Sequence, residues 1–239
     1  MKLYYEQNYR LRTNDFDCFD TVTPTSILDS YQDVAGLHAH MLGLGYEQMY
    51  NKGYYWVILR QKVKVIKSPK PGDVLHVATW PLPKNRLEFK REYKIYNQYN
   101  ELISYSSSVW VLINTSDRRI SRARDIDYDG EFVLDEYFTD LKKIEDISEF
   151  NNVYNYEVKF ADLDHNKHMN NSKYLEVILN ILNYKTKTLV EEFQLDYMHE
   201  VKLGEVLTIK EFMFENIRYY YIYRDDLLVT KAKIVLREE

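Results

Sequence analysis

Lys70-Pro71-Gly72-Asp73-Val74-Leu75-His76-Val77 and Lys202-Leu203-Gly204-Glu205-Val206-Leu207-Thr208-Ile209 decide the architecture of this chain. Each reads as a turn at glycine, an acidic residue and then a strand. Repetition of such a unit is the signature of an internally duplicated fold. Working outward, another strand precedes each turn, Val57 to Ile66 in one half and Gln194 to Met198 in the other. A helix is expected before that. Ahead of each helix comes a strand expected to end in an Asp-apolar-Asp triplet, Asp15-Phe16-Asp17 and Asp162-Leu163-Asp164.

The first helix is expected to begin near Ser26, where Ser26 and Asp29 resemble a capping box. Ile27, Tyr31, Val34, Ala35, His38, Met41 and Leu42 follow the 3.6-residue period, and Gly43 and Gly45 give the stop. The second helix, roughly Ser172 to Asn183, carries Tyr174, Leu175, Val177, Ile178, Leu179, Ile181 and Leu182 almost all the way round, so it must be wrapped by other structure. Ile103 to Ile113 alternates as a strand, Leu87 to Lys90 starts another, and Asn97 to Asn100 turns between them. Ile217 to Tyr223, a turn at Asp225-Asp226, and Leu227 to Leu236 repeat that hairpin. The acidic stretch from Asp125 to Phe150, with Asp127, Asp129, Glu131, Asp135 and Glu136, reads as a linker packed on the surface, with room for a short helix. These patterns give an α+β, duplicated chain: residues 1–128, an acidic linker at 129–152, and residues 153–239.

Composition narrows the function. Hydrophobic residues make up 45% and charged residues 29% of 239, which is globular rather than disordered. The 23 Tyr and 10 Phe favour sheet. A net charge of −5 argues against nucleic-acid binding, which needs a basic surface. The lone Cys18 allows no intrachain disulfide and fits a reducing, cytoplasmic setting. Met1 to Arg12 has no apolar stretch of signal-peptide length, and no run approaches the ~20 apolar residues of a membrane span. The sequons at Asn114 and Asn170 are therefore expected to be silent.

Chemistry concentrates in Asp162-Leu163-Asp164-His165-Asn166-Lys167-His168-Met169-Asn170-Asn171-Ser172-Lys173-Tyr174, a run dense in proton donors and acceptors that ends at a helix start. Helix N-termini present unpaired N–H groups and partial positive charge, which suit a developing oxyanion. On its own such a run is most often caps and turns, and Asn170, Asn171 and Ser172 read as caps, Lys173 and Tyr174 as structural. His165 and His168 with Asp162 and Asp164 have metal-ligand chemistry, but no further Cys or His cluster supports a metal site. His38 and His40 fall on different faces of the first helix.

Residue by residue, Asp162, Leu163, Asp164, Asn166, His168, Asn170, Asn171, Lys173 and Tyr174 resemble the signature of the acyl-ACP thioesterases, from plant plastid enzymes to bacterial relatives. Downstream, Leu195 to Glu200 resembles the family's strand that ends in an acidic catalytic residue. The resemblance implies a double hotdog, two tandem domains each wrapping a sheet around a helix. It also implies hydrolysis of fatty acyl-ACP to a free fatty acid, terminating fatty acid synthesis, with Asp164, Asn166, His168 and Glu200 as catalytic residues. Asp164 would orient groups or handle protons, Asn166 and His168 would position carbonyl and water, and Glu200 would help activate water. The expected partner is acyl carrier protein bearing a phosphopantetheine-linked acyl chain, and no cofactor is expected. In the plant enzymes a cysteine follows the glutamate. Here that position is Val201 and the second half has no cysteine, so activated water replaces a thiol nucleophile. An acyl-CoA thioesterase, a hotdog hydratase and an acyl-binding module are the competing readings.

The first copy puts Phe19 opposite Asn166 and Thr21 opposite His168, so it is expected not to catalyse. The resemblance gives it the acyl chain to hold, with Ile27, Tyr31, Ala35, His38, Met41, Trp56 and Ile58 as candidates. Basic stretches at Lys62 to Lys67, Lys84 to Arg91 and Arg118 to Arg124 are candidates for carrier docking, the last preferred. Hotdog domains commonly pair, so a homodimer and a pairing satisfied within the chain both stay open.

Overall fold

Thr23 and Pro24 start the first helix. Thr23 is extended, its hydroxyl oxygen accepts the Ser26 N–H at 3.2 Å, and Pro24 occupies the first helical position, where its missing N–H costs nothing. The cap is therefore Thr23, three residues earlier than the Ser26 start expected from sequence. Helix α1 (Pro24–Met41) ends at Gly43, whose φ of 71° is the left-handed conformation glycine tolerates best. A short helix, α2 (Tyr46–Asn51), follows. In this computed structural model residues 2–122, 126, 128–182 and 188–238 are described. Ala123, Arg124, Asp125, Asp127 and Asn183, which figure in the sequence expectations, lie outside them.

The chain divides into two compact units, Met1–Leu141 and Lys142–Glu239. In the first, β1 (Tyr5–Arg10), β2 (Tyr54–Val65), β3 (Val74–Pro81), β4 (Phe89–Asn97) and β5 (Leu102–Asn114) form antiparallel pairs in the order β1-β3-β4-β5-β2, with β6 (Ile120–Ser121) beside β5. In the second, β7 (Asn152–Glu157), helix α3 (Asn171–Ile181), β8 (Thr188–Tyr197), β9 (Val206–Phe214), β10 (Ile217–Arg224) and β11 (Leu227–Glu238) give the antiparallel order β7-β9-β10-β11-β8. The two orders are the same once each unit's strands are counted from its own first. Even the register repeats, Arg10 facing Val74 and Glu157 facing Val206.

Helix α1 lies against its sheet. Tyr31 donates to the Ser104 hydroxyl at 2.9 Å and its ring meets that of Tyr93, while His38 sits 3.1 Å from the Arg91 guanidinium. Burial and then Arg91 push the His38 pKa down to about 3, so this imidazole stays neutral. Ile27, Tyr31, Ala35, His38 and Ile58 are buried, but Met41 is 66% exposed and does not face the interior. Helix α3 buries Tyr174, Leu175, Val177 and Ile178, and only Glu176 and Asn180 are exposed, so its wrapping is nearly complete.

Among its described residues the acidic stretch has no helix, and it packs on the sheets. In the first unit Tyr137 stacks on Tyr105 and meets Trp80, Phe138 meets Tyr105, and the Trp80 indole donates to the Asp135 carbonyl. In the second unit Ile144 N–H donates to Asp196, Ile147 N–H donates to the Tyr221 hydroxyl, and Phe150 packs on Tyr221. Each half of the stretch straps its own unit's sheet, on the face opposite the helix in the first unit. Tyr105, Tyr137 and Tyr221 are used in this way.

Neither Asp-apolar-Asp triplet ends a strand. β1 and β7 stop at Arg10 and Glu157, and single 3-10 turns (Thr13–Asp15 and Phe160–Asp162) intervene. Asp15 and Asp162 close those turns by accepting the N–H groups of Arg12 at 2.6 Å and Lys159 at 2.7 Å. Among the described residues no helix is long and apolar enough to cross a membrane.

Candidate active site

Asp164 organises the loop that leads into α3. Its Oδ1 accepts the N–H groups of Asn166 at 2.8 Å and His168 at 3.2 Å, and its own N–H donates to the His168 carbonyl at 2.8 Å. Lys167 takes the left-handed corner at φ 65°. The result is a closed turn of the kind aspartate stabilises by bonding backbone groups a few residues on. It delivers His168 beside Lys202, and Met169 N–H donates to the Val201 carbonyl at 2.8 Å.

Glu200 reaches the same spot from the end of β8. Arg224 fixes it from behind: the guanidinium donates to the Glu200 carbonyl at 3.2 Å and to both Glu205 carboxylate oxygens at 3.1 Å. The Nε2 of His168 then stands 3.4 Å from the Oε2 of Glu200, with side chains 23% and 35% exposed. A partly exposed imidazole facing a carboxylate at this distance can pass a proton between them and to a water between them and solvent.

The four expected residues are not equivalent in place. His168 and Glu200 meet directly. Asp164 holds the loop through its backbone bonds rather than touching the imidazole. Asn166 is exposed, and its side-chain amide reaches back to Asp164 Oδ2 at 3.4 Å. Asn170 caps α3 by accepting the Ser172 N–H at 3.1 Å, and Lys173 pairs with Glu176. Tyr174 is buried, which raises its pKa, and it packs edge-on against Tyr197, whose hydroxyl donates to the Asn171 carbonyl. Asp162 is occupied by the Tyr156 hydroxyl and Lys159 N–H; burial and then that carboxylate push the Tyr156 pKa up to about 12.

Sequence reasoning missed Arg224 and Glu205. Glu205 had a signal, since it repeats Asp73: Glu205 accepts Lys202 N–H at 2.8 Å as Asp73 accepts Lys70 N–H at 2.8 Å. Arg224 had none, because its role depends on a contact across the sheet.

The first unit builds the same turn without the reactive groups. Asp17 Oδ1 accepts Phe19 N–H at 2.9 Å and Thr21 N–H at 3.0 Å, Asp17 N–H donates to the Thr21 carbonyl, and Asp20 takes the left-handed corner. Counting back from the matching glycines Gly72 and Gly204 puts Ser68 where Glu200 stands, and its hydroxyl accepts the Val22 N–H. Phe19, Thr21 and Ser68 thus replace Asn166, His168 and Glu200.

Residues 2–129 match the family model described as the acyl-ACP thioesterase N-terminal domain, and residues 144–232 match that of its C-terminal domain. The chain belongs to the acyl-ACP thioesterase family. It is 27% identical over 236 residues to a chloroplastic palmitoyl-acyl carrier protein thioesterase of Gossypium hirsutum, covering 90% of this chain and 57% of that protein. An oleoyl-acyl carrier protein thioesterase of Coriandrum sativum is 25% identical over 228 residues, covering 86% and 61%. The chain therefore spans little more than half the length of these relatives. Its fold is that of a crystallised acyl-ACP thioesterase from Bacteroides thetaiotaomicron, with a TM-score of 0.87, 22% identity and 98% of both chains covered. A 12:0-ACP thioesterase from Umbellularia californica gives a TM-score of 0.86 at 20% identity, covering 99% of this chain and 98% of that one. Among acyl-ACP thioesterases the double hotdog is thus the fold of this chain.

Proposed function

We propose that this chain hydrolyses the thioester of fatty acyl-ACP, releasing a free fatty acid and the carrier's phosphopantetheine thiol. One observation carries the reading: on a chain of this family, the His168 imidazole and the Glu200 carboxylate approach to 3.4 Å at the mouth of the loop that opens α3. Glu200 and His168 take a proton from water as it attacks the thioester carbon. The new C–O bond forms, the C–S bond breaks as the tetrahedral intermediate collapses, and the proton ends on the departing thiolate. A thiol with a pKa of about 8.5 leaves readily, so the site needs no strong acid. On this reading Asn166, exposed two residues before His168, donates to the carbonyl oxygen as it gains charge. Asp164 acts as the positioning residue for both. Cys18, exposed in the first unit's turn, has no part in the step, and a reducing cytoplasm is the setting in which its thiol persists.

We assign acyl-chain binding to the first unit. It carries a cleft of about 260 Å³ with Val22, Ile27 and Leu75 on its wall, although charged side chains, Arg12, Asp15 and Asp33 among them, share the lining. The reading is tested by thiol release from one acyl chain carried on ACP, on CoA and on pantetheine. Acyl-ACP is expected to be the preferred substrate, and His168→Ala is expected to lose at least ~10²-fold in kcat/KM, the scale for a lost acid/base. Equal rates on all three carriers would replace the carrier-protein assignment with a general thioesterase.

A further inference from the structure

Three apolar side chains are exposed on the segments that flank His168 and Glu200 in sequence. Phe160, in the 3-10 turn before the catalytic loop, is 83% exposed; Leu203 is 55% and Val206 54% exposed. They are neighbours through the backbone. The turn at Gly204 donates its N–H to the Val158 carbonyl at 3.0 Å, two residues before Phe160, while Met169 N–H holds Val201 on its other side, next to His168. Single exposed apolar residues are ordinary, but a group of them rimmed by charge marks an interaction surface.

The charges around the group are lysines. Lys159, Lys167 and Lys202 are all exposed. Lys159 pairs with Glu157, whereas neither Lys167 nor Lys202 has an ion-pair partner among the described residues. Lys167 also occupies a left-handed corner at φ 65°, a conformation that Asn and Asp accept better than Lys.

The first copy serves as a control. Its matching turns place Thr13 opposite Phe160, Pro71 opposite Leu203 and Asp20 opposite Lys167. The backbone is the same, and Asp20 fills the same corner at φ 56°. The exposed aromatic ring in the 3-10 turn and the cationic corner occur only in the copy that holds His168 and Glu200, whereas the exposed Pro71, Lys70 and Arg12 match Leu203, Lys202 and Lys159. The first copy folds the same turns with Thr13 and Asp20 at those positions, so the turns themselves need neither the ring nor the cation.

We propose that Phe160, Leu203 and Lys202, flanked by Lys159, Lys167 and Val206, form the surface on which acyl carrier protein docks, acidic groups of the carrier meeting the lysines and apolar ones seating on Phe160 and Leu203. This rests on the acyl-ACP reading above and adds where the carrier sits. An acyl group tethered through a phosphopantetheine arm must enter at His168 and Glu200, so the carrier body has to lodge on the rim of that site. The lysines complement an acidic partner and speed its encounter, and the apolar pair supplies the short-range contact. The surface differs from the Arg118 to Arg124 stretch preferred on sequence; there Arg118, Arg119 and Ile120 are exposed, while Ala123 and Arg124 lie outside the described residues.

The test uses the full chain carrying Phe160→Ala with Leu203→Ala, Lys202→Glu alone, and Arg119→Glu as the alternative surface. Thiol release is measured from acyl-ACP and from the same acyl chain on pantetheine, and binding of fluorescently labelled holo-ACP by anisotropy. The double variant and Lys202→Glu are expected each to lower kcat/KM on acyl-ACP about 10-fold, mostly through KM, with holo-ACP affinity falling in step. Their rates on acyl-pantetheine are expected to stay within about twofold of wild type, as surface substitutions should. Unchanged acyl-ACP kinetics in both overturns the proposal. So does an equal loss on both substrates, or a loss confined to Arg119→Glu. A wild-type dimer in sedimentation that Phe160→Ala with Leu203→Ala disperses assigns the surface to a second copy instead, and loss of binding to anionic vesicles assigns it to a lipid surface; either result overturns it. If wild type releases thiol from neither substrate while holo-ACP binding still depends on Phe160 and Leu203, the hydrolase reading fails and the docking surface survives.

Discussion

Glu92 makes the first unit sensitive to pH, although no part of its side chain reaches solvent. It lies on β4 facing the strap of the first unit. Its Oε2 accepts the Ser107 hydroxyl at 2.6 Å and the Tyr137 N–H at 3.0 Å, and its Oε1 is buried without a hydrogen-bond partner. Burial raises its pKa from 4.5 to about 8, against the opposing pull of Ser107 and Tyr137; Glu136 nearby raises it further and Lys90 lowers it. The folded unit therefore keeps this proton through a range in which the unfolded chain has lost it. Stability from Glu92 is full below pH 4.5 and is lost as the pH climbs towards 8. At neutral pH the cost of holding the proton is on the order of 3 kcal/mol, at about 1.4 kcal/mol per pH unit above 4.5. Glu92→Gln keeps the shape and removes the titration. Its amide nitrogen would sit unpaired where Oε1 does, costing about 1–3 kcal/mol, but that cost does not vary with pH. The diagnostic is thus the slope. Trp56, Trp80 and Trp110 all belong to the first unit, so tryptophan fluorescence in urea reports that unit's unfolding. The variant is expected to gain on wild type by about 1.4 kcal/mol per pH unit between pH 5 and 7.5. A difference that stays flat across that range would refute the assignment of a protonated, buried Glu92.

Asp164→Ala removes the acceptor of two backbone N–H groups in the loop before α3, and turnover is expected to fall at least ~10²-fold with His168 and Glu200 both intact, read by thiol release. Arg224→Ala frees the Glu200 carbonyl and Glu205 together; kcat is expected to drop more than KM rises, since only the pair's alignment is lost. Asn170→Ala is expected to cost about 1 kcal/mol in unfolding of the second unit through the lost α3 cap, measured by circular dichroism in urea. Cys18→Ser is expected to leave kcat/KM unchanged; inactivation would mean that a thiol, not water, attacks the thioester.

The duplication was legible because it rests on local chemistry. Gly72 and Gly204 sit at φ 93° and 77°, conformations that single out glycine, and the acidic residue after each closes the turn onto a lysine N–H. Hairpins were legible for the same reason: Asn100 and Asp225 take the left-handed corner that Asn and Asp favour. What failed were readings that local pattern cannot separate. An Asp-apolar-Asp triplet looks alike at a strand end and after a 3-10 turn. Ser26 and Asp29 mimic a capping box, but Thr23 before Pro24 takes the cap. Acidic composition marked a linker packed on the surface at 129–152, but which rings it packs on, Tyr137 against Tyr105 and Phe150 against Tyr221, takes three-dimensional contact to see. At the site, the loop and its cap followed from residue type and spacing. Two facts depend on tertiary packing: the exposure of Asn166 and the anchoring of Glu200 through Arg224.

Single-turnover thiol release from acyl-ACP by wild type and by Glu200→Gln tests most directly whether the imidazole–carboxylate pair activates water. The amide keeps the size of the side chain opposite His168 and removes its capacity to hold a proton. The account requires a rate at least ~10²-fold below wild type at neutral pH, with carrier binding retained. A Glu200→Gln chain that releases thiol at close to the wild-type rate would contradict it.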